Sequence, residues 1–127
     1  MNANGPVLNA ASKRIIGCAL TVANTLGAGF LEKVYENALA HELRKAGLAA
    51  EQQRGMTVTY DGVIVGEYFA DLLFENAIPI ELNTVRVLDG AHRAQCLNYR
   101  RATGLDLCLL MNFGVPRLEV RRIVRGL

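Results

Sequence analysis

The hydrophobic pattern of this 127-residue chain changes its period at Gly47. Before that residue, apolar side chains recur at helical spacing from about Leu8 to Leu26 and again from Leu31 to Ala46. After it, the stretch MTVTYDGVIVGEYFADLLFENAIPIEL alternates or runs apolar and is rich in β-branched residues, with turn signals at Asp61-Gly62 and Glu75-Asn76. Two helices followed by three antiparallel strands are therefore expected.

The last third of the chain returns to a helix and then to strands. Gly90 to Thr103 reads as a third helix closed by Gly104, LDLCLLMNFG is a strand covered on both faces, and RLEVRRIVRGL is an edge strand. The order ααβββαββ predicts an α/β fold, a mixed β-sheet flanked by helices, in a single domain over residues 1–127.

The second helix is amphipathic, so one face should pack on the sheet. The predicted buried face holds Leu31, Val34, Tyr35, Ala38, Leu39 and Leu43, and the predicted exposed face holds Lys33, Glu36, Asn37, Arg44 and Lys45. Glu32 falls on the flank of the buried face, so its side chain can point toward the sheet.

Two carboxylates interrupt strands that otherwise read as core. Asp71 and Glu81 lie about five residues to either side of the Glu75-Asn76 turn, so antiparallel pairing brings them close together. A carboxylate on a core-like strand has an arginine partner, binds a metal ion or lies at an exposed strand end, because burial without a partner costs free energy. Taken together, the two acids meet the minimum that Mg²⁺ requires of a protein.

A polar stripe on the third helix allows two interpretations. His92, Gln95 and Tyr99 follow one another at i, i+3 and i+7, so they share one face. That face is either a solvated one whose tyrosine caps the core, or part of a functional site.

Charge and cysteine content add weaker constraints. The net charge is only +2, but residues 1–83 carry nine acidic and six basic side chains, whereas residues 84–127 carry three acidic and eight basic ones, all arginine. This division is compatible with a carboxylate cluster facing a cationic surface. The three cysteines, Cys18, Cys96 and Cys108, are widely spaced and are predicted to be buried free thiols. Without a membrane span or secretory leader, a cytoplasmic protein is expected.

The sequence resembles a specific family. GFLEKVY, from Gly29 to Tyr35, matches the Gly-x-x-Glu-x-x-Tyr signature of the GxxExxY proteins, which are placed in the PD-(D/E)xK nuclease superfamily. Further landmarks follow the family order: the turn LGAG, the strand aspartate, the strand IELN, the helix HRAQCLNY and an Asn-Phe-Gly after the last core strand. The resemblance covers almost the whole chain.

This resemblance implies roles for the unusual polar residues. Asp71 and Glu81 would bind Mg²⁺ or Mn²⁺, and Glu32 would be a supplementary metal ligand. Gln95 and Tyr99 resemble a Gln-x-x-x-Tyr helix motif that supports the site or contacts substrate.

One position departs from the superfamily pattern. Asn83 stands where a lysine is expected, and an amide can orient water or a phosphate oxygen but cannot transfer a proton as an amine can. The metal could itself acidify water, or a cation such as Arg86 or Arg93 could supply the missing charge. Those two arginines, with Arg100, are predicted to contact nucleic acid.

Three functions remain open from sequence. The first is a divalent-metal-dependent nuclease acting on nucleic-acid phosphodiesters, and the second is a catalytically inactive nuclease fold that binds nucleic acid or a protein. The third is a homo-oligomer that uses an apolar edge strand, such as Leu118 to Val124, and the face of the last helix, although the arginines of that strand argue for protection against pairing.

Overall fold

The computed structural model describes residues 5–124. Its helices are α1 (Pro6–Leu26), α2 (Glu32–Lys45) and α3 (Gly90–Thr103), and its strands are β1 (Ala50–Tyr60), β2 (Val63–Phe74), β3 (Ile78–Asn83), β4 (Leu107–Asn112) and β5 (Glu119–Val124). The predicted α/β fold and the order ααβββαββ are confirmed.

The five strands form one mixed sheet in the order β1-β2-β3-β4-β5. Neighbouring strands are antiparallel except β3 and β4, which are parallel and are joined by α3. A parallel pair needs a long crossover, and α3 provides it. Every residue of β4 is buried, and β5 lies at the edge of the sheet, as the sequence predicts.

Helices cover the two faces of the sheet unequally. One face packs on α1 and α2 in a large apolar core that includes Ile15, Leu39, Ile80 and Leu109. The other face carries α3 above a smaller cluster around Leu110 and Ile123. Among residues 5–124, no helix has both the length and the apolar character needed to cross a membrane.

The two predicted turns are confirmed and share a backbone conformation. Asp61 and Gly62 have φ of 54° and 76°, and Glu75 and Asn76 have φ of 51° and 56°. Paired positive φ values suit the right-handed twist of a hairpin, and Asp, Asn and Gly tolerate them best.

The predicted faces of α2 need correction at its first turns. Leu31 is the residue before the helix and is 80% exposed, and Val34 is 37% exposed, whereas Glu36 is only 2% exposed. The reason is tertiary: side chains from β1 hydrogen-bond the Glu36 carboxylate and hold it inside.

The prediction of three free thiols is wrong for two of them. Cys96 of α3 and Cys108 of β4 form a disulfide, with Cα atoms 6.2 Å apart, and Cys18 is free. The crossover folds α3 back onto β4, so residues that are separated along the sequence meet in space.

The β1–β2 hairpin extends beyond the rest of the sheet. β2 pairs with β3 only from Leu72 to Phe74, whereas it pairs with β1 along its whole length. The free part of this hairpin carries apolar side chains that are 51–76% exposed, namely Tyr60, Val63, Ile64, Val65 and Phe69.

Candidate metal centre

The site lies where β2 and β3 separate. Their pairing ends at Leu72 and Ile80, and beyond it the Leu82 N–H donates to Asp71 Oδ2 at 2.7 Å. A carboxylate side chain therefore satisfies a backbone donor that the diverging strands leave free. This places the Asp71 carboxyl beside Glu81, its neighbour across the split.

Asp71 and Glu81 share a hydrogen bond between their carboxyl groups. Glu81 is only 5% exposed, and its burial, together with the negative charges of Asp71 and Glu32, raises its pKa to about 9. Burial also raises the pKa of Asp71, against the hydrogen bonds from Leu82 and Gln53. At neutral pH Glu81 therefore keeps its proton, which lies in its hydrogen bond with Asp71.

One oxygen of this pair has no partner. Glu81 Oε1 is fully buried and accepts no hydrogen bond from any described residue. An unsatisfied buried oxygen costs free energy unless something supplies the missing contact. A cation between the two carboxylates would satisfy it.

A polar network holds Asp71 from its other side. Gln53 Nε2 donates to Asp71 Oδ1 at 3.3 Å and to Glu36 Oε1 at 2.7 Å. Gln53 has a φ of 54° in the middle of β1, a conformation that costs about 1 kcal/mol or more for a residue with a side chain. In this conformation the Gln53 amide faces both Asp71 and Glu36.

Glu36 anchors this network as an ionised group. Burial acts to raise its pKa, but hydrogen bonds from Lys33, Gln52 and Gln53 outweigh it and lower the pKa below its ordinary value. Sequence reasoning missed both Glu36 and Gln53. No hydrophobic pattern marks Gln53, and the assumed helix phase placed Glu36 in solvent.

Glu32 lies at the rim of the site. It is solvent-exposed, yet partial burial and the negative charges of Asp71 and Glu36 raise its pKa to about 6, with His92 acting in the opposite direction. Nevertheless, within residues 5–124 no three His, Cys, Asp or Glu side chains lie close enough to hold one metal ion. The geometric pair is therefore Asp71 and Glu81, and Glu32 acts on it through charge.

Tyr35 fixes the loop that carries Glu32 into place. Its hydroxyl donates to the Gly27 carbonyl and accepts from the Phe30 N–H at 3.2 Å, and its ring stacks on Phe113 at 4.8 Å between centroids. The tyrosine of the Gly-x-x-Glu-x-x-Tyr pattern thus has a structural role: it sets the start of α2, where Glu32 lies.

Asn83 follows Glu81 by two residues, so both side chains emerge on the same face of β3. Asn83 is half-buried, and its carbonyl accepts from the Phe113 N–H at 2.8 Å. In the part of the chain that the structure describes, its side-chain amide makes no hydrogen bond. The amide is therefore available to a water molecule or a substrate oxygen.

The two residues of the α3 motif differ in position. Tyr99 is 1% exposed, its hydroxyl donates to the Arg54 carbonyl at 3.2 Å, and burial together with the charge of Glu81 raises its pKa. Gln95 is exposed and makes no hydrogen bond with any residue from 5 to 124. The structure brings Tyr99 toward the acid pair and leaves Gln95 in solvent.

The three predicted arginines do not contact the acid pair. Arg86 and Arg93 are exposed, and Arg100 is half-buried with its Nε unpaired. None of them forms an ion pair within the described ranges. The structure therefore gives no support to a guanidinium group that takes the place of the missing lysine at Asn83.

The residues present fit a divalent cation. Mg²⁺ is commonly bound by one or two carboxylates and keeps several of its waters, so a pair is sufficient. The unsatisfied oxygen of Glu81 and the proton shared with Asp71 are features that an incoming cation would resolve.

A mixed sheet with a helical crossover and an acid pair at a strand split defines a class: α/β proteins with a nuclease-type sheet. The profile of the PD-(D/E)XK nuclease superfamily matches residues 9–123. The chain therefore belongs to the PD-(D/E)xK nuclease superfamily, whose nucleases generally use divalent metals.

A solved structure is similar in fold. The protein described as "Crystal structure of SSO0001" aligns with a TM-score of 0.56 at 20% identity, over 75% of this chain and 50% of that chain. The chain thus spans half the length of that protein, and at this identity the likeness shows the fold alone. No curated protein matches the chain.

Proposed function

We propose that this protein is a divalent-metal-dependent nuclease that hydrolyses nucleic-acid phosphodiesters. The observation that carries the proposal is the Asp71–Glu81 pair, in which Glu81 is buried and its Oε1 has no hydrogen-bond partner among the described residues. Superfamily membership supports the same site. Asp71 and Glu81 would hold Mg²⁺ or Mn²⁺, and Glu32 at the rim would favour the cation through its charge.

A bound metal would polarise the phosphodiester and acidify a water molecule. Around it, the protein holds Asp71 between the Leu82 N–H and the Gln53 amide, so that its carboxylate is already oriented. Asn83 orients the attacking water or a phosphate oxygen through its amide. Tyr99 supports the α3 side of the site from within, and the exposed Gln95 contacts the substrate.

A second candidate function is a nuclease fold that binds nucleic acid without cutting it. Asn83 favours this candidate, since an amide carries no charge and cannot exchange a proton with the attacking water. Loss of a general acid-base group typically costs about 10²- to 10⁴-fold in rate.

Cleavage assays separate the two functions. Labelled single- and double-stranded DNA and RNA are incubated with Mg²⁺ or Mn²⁺ and the natural chain, Asp71→Ala or Asn83→Lys, and metal binding is measured in parallel by calorimetry. Glu67→Ala is the matched control, because Glu67 is an exposed acid on the same strand as Asp71.

Each outcome has a distinct meaning. If the protein is a nuclease, the natural chain and Glu67→Ala cut the substrate and Asp71→Ala does not. Cutting by Asn83→Lys alone would indicate an intact metal site without its proton-transfer group and would favour the binding protein. Failure of the natural chain to bind either metal would contradict the nuclease proposal.

A further inference from the structure

The arginine-rich C-terminal part of the chain forms a cavity of about 250 Å³ beside α3. Arg93, from the first turns of α3, and Arg121, from β5, contribute its two positive charges, and Leu110 of β4 contributes apolar surface between them. The sequence prediction included Arg93 but gave no role to Arg121.

Strand register connects this cavity to the acid pair. Glu81 of β3 pairs with Leu110 of β4, which pairs in turn with Arg121 of β5. Directly paired residues project on the same face, and Leu110 packs in the cluster on the α3 face. Arg121 therefore lies on the face of Glu81, two strands and about 10 Å away from it between Cα atoms.

The two guanidinium groups are only lightly engaged. Arg93 has no side-chain partner among residues 5–124, and Arg121 is 53% exposed and makes long contacts of 3.3 Å to the Val120 carbonyl and 3.4 Å to Glu119. A ligand that offers charged oxygens would compete well with contacts of that length.

The one carboxylate that lines the cavity is already occupied. Asp89 caps α3 by accepting from the N–H groups of Ala91 and His92, and its carboxylate lies 2.9 Å from His92 Nδ1. The capped amides at the start of α3 are not the binding groups. The cavity binds through side chains and has two guanidinium groups against one carboxylate.

We propose that Arg93 and Arg121 bind a phosphate group of the nucleic acid, next to the phosphodiester at the metal centre. This rests on the proposed function, and it identifies the substrate as a strand that carries a second phosphate beyond the reacting one. Guanidinium groups pair with phosphate oxygens in a fork, which suits a cavity of this size. The phosphate is either an internal diester or a terminal monoester.

Binding without metal tests this site apart from the chemistry. Fluorescein-labelled single-stranded oligonucleotides are titrated in EDTA at low salt, and anisotropy is recorded for the natural chain, Arg93→Gln, Arg121→Gln and Arg121→Lys. Arg101→Gln is the matched control, since Arg101 is an exposed arginine near the other end of the same helix.

Arg93→Gln and Arg121→Gln are each expected to weaken binding roughly tenfold and to reduce the salt slope by about one, whereas the control leaves both unchanged. Arg121→Lys should recover part of the affinity, because it keeps the charge and loses the fork. Oligonucleotides with and without a terminal phosphate distinguish the sources. If the arginines bind a terminal monoester, the loss of affinity in the glutamine variants appears only with oligonucleotides that carry the terminal phosphate. If they bind an internal diester, the loss is the same with and without it.

Equal binding by the control and by both glutamine variants would overturn the site, as would a natural chain that binds no oligonucleotide at low salt. Because metal is absent, this failure is distinct from failure of the nuclease proposal. A chain that binds oligonucleotides through these arginines but takes up no metal would retain the phosphate site and lose the proposed catalysis.

Discussion

At the scale of single residues, the acid pair links folding to pH. In the folded chain Glu81 has a pKa of about 9, against 4.5 in its ordinary state. Between these values the folded protein holds a proton that the unfolded chain has released, so the free energy of unfolding falls as pH rises. The pair thus lowers stability at neutral pH, as expected of a site that is kept for binding.

Replacing Glu81 with glutamine should remove this dependence. Glu81→Gln keeps the shape of the side chain and cannot ionise, so in EDTA its melting temperature should fall less than that of the natural chain between pH about 6 and about 8. Circular dichroism melts at both pH values measure the difference. An unchanged pH slope in Glu81→Gln would show that Glu81 does not hold the proton.

Metal ions should reverse the loss of stability in the natural chain. Mg²⁺ or Mn²⁺ must displace the shared proton, so the increase in melting temperature on adding metal should be larger at pH about 8 than at pH about 6. At a hundredfold excess over Kd the stabilisation is about 2.7 kcal/mol. Asp71→Asn is expected to show no such increase, and a pH-independent shift would contradict the shared proton.

At the scale of elements, Tyr35 connects the first loop to the core. Tyr35→Phe keeps the stacking on Phe113 and loses the hydroxyl contacts to Gly27 and Phe30. We expect a loss of about 1–2 kcal/mol in the free energy of unfolding and faster hydrogen exchange in residues 27–31. Tyr68→Phe, at a half-buried tyrosine of β2, should leave both measurements unchanged.

The disulfide connects α3 to β4 and is equally open to measurement. A thiol titration of the unfolded chain should find one free thiol, Cys18, before reduction and three free thiols after it. Cys108→Ala should lower the free energy of unfolding by about 2–4 kcal/mol, since the bond closes a short loop. Three free thiols before reduction would contradict the bond.

Regular elements could be predicted from sequence, and local deviations could not. The strands, both turns and α3 follow from hydrophobic period, Gly and Asn positions. The phase of α2 could not be obtained this way, because Glu36 is drawn inward by two glutamines of β1. The positive φ of Gln53 and the β2–β3 split likewise depend on tertiary contacts that leave no periodic signal.

At the scale of the whole molecule, the division of charge along the chain acquires a spatial meaning. Asp71 and Glu81 come from the acidic part of the sequence and Arg121 from the basic part, and strand register places Glu81 and Arg121 on one face of the sheet. The sequence predicted the acid pair and the cationic half. The row of paired residues that joins Glu81 to Arg121 depends on the order of β3, β4 and β5, and composition does not contain that order.

The same scale bears on self-association. β5 is an edge strand, as predicted, and Arg121 and Arg122 are exposed on it. Charged residues on an edge disfavour pairing with another copy. Pairing through this strand stays a prediction, which size in solution would test.

The projecting β1–β2 hairpin has a practical consequence for handling the protein. Its exposed apolar residues lie on a strand pair that no described helix covers at its outer end, and such surfaces promote aggregation. The average molecular mass measured by light scattering should therefore rise with protein concentration. Ile64→Lys at the tip should raise solubility without lowering the melting temperature. A more soluble variant would then differ from the natural chain at the tip of the hairpin and would keep the Asp71–Glu81 pair unchanged.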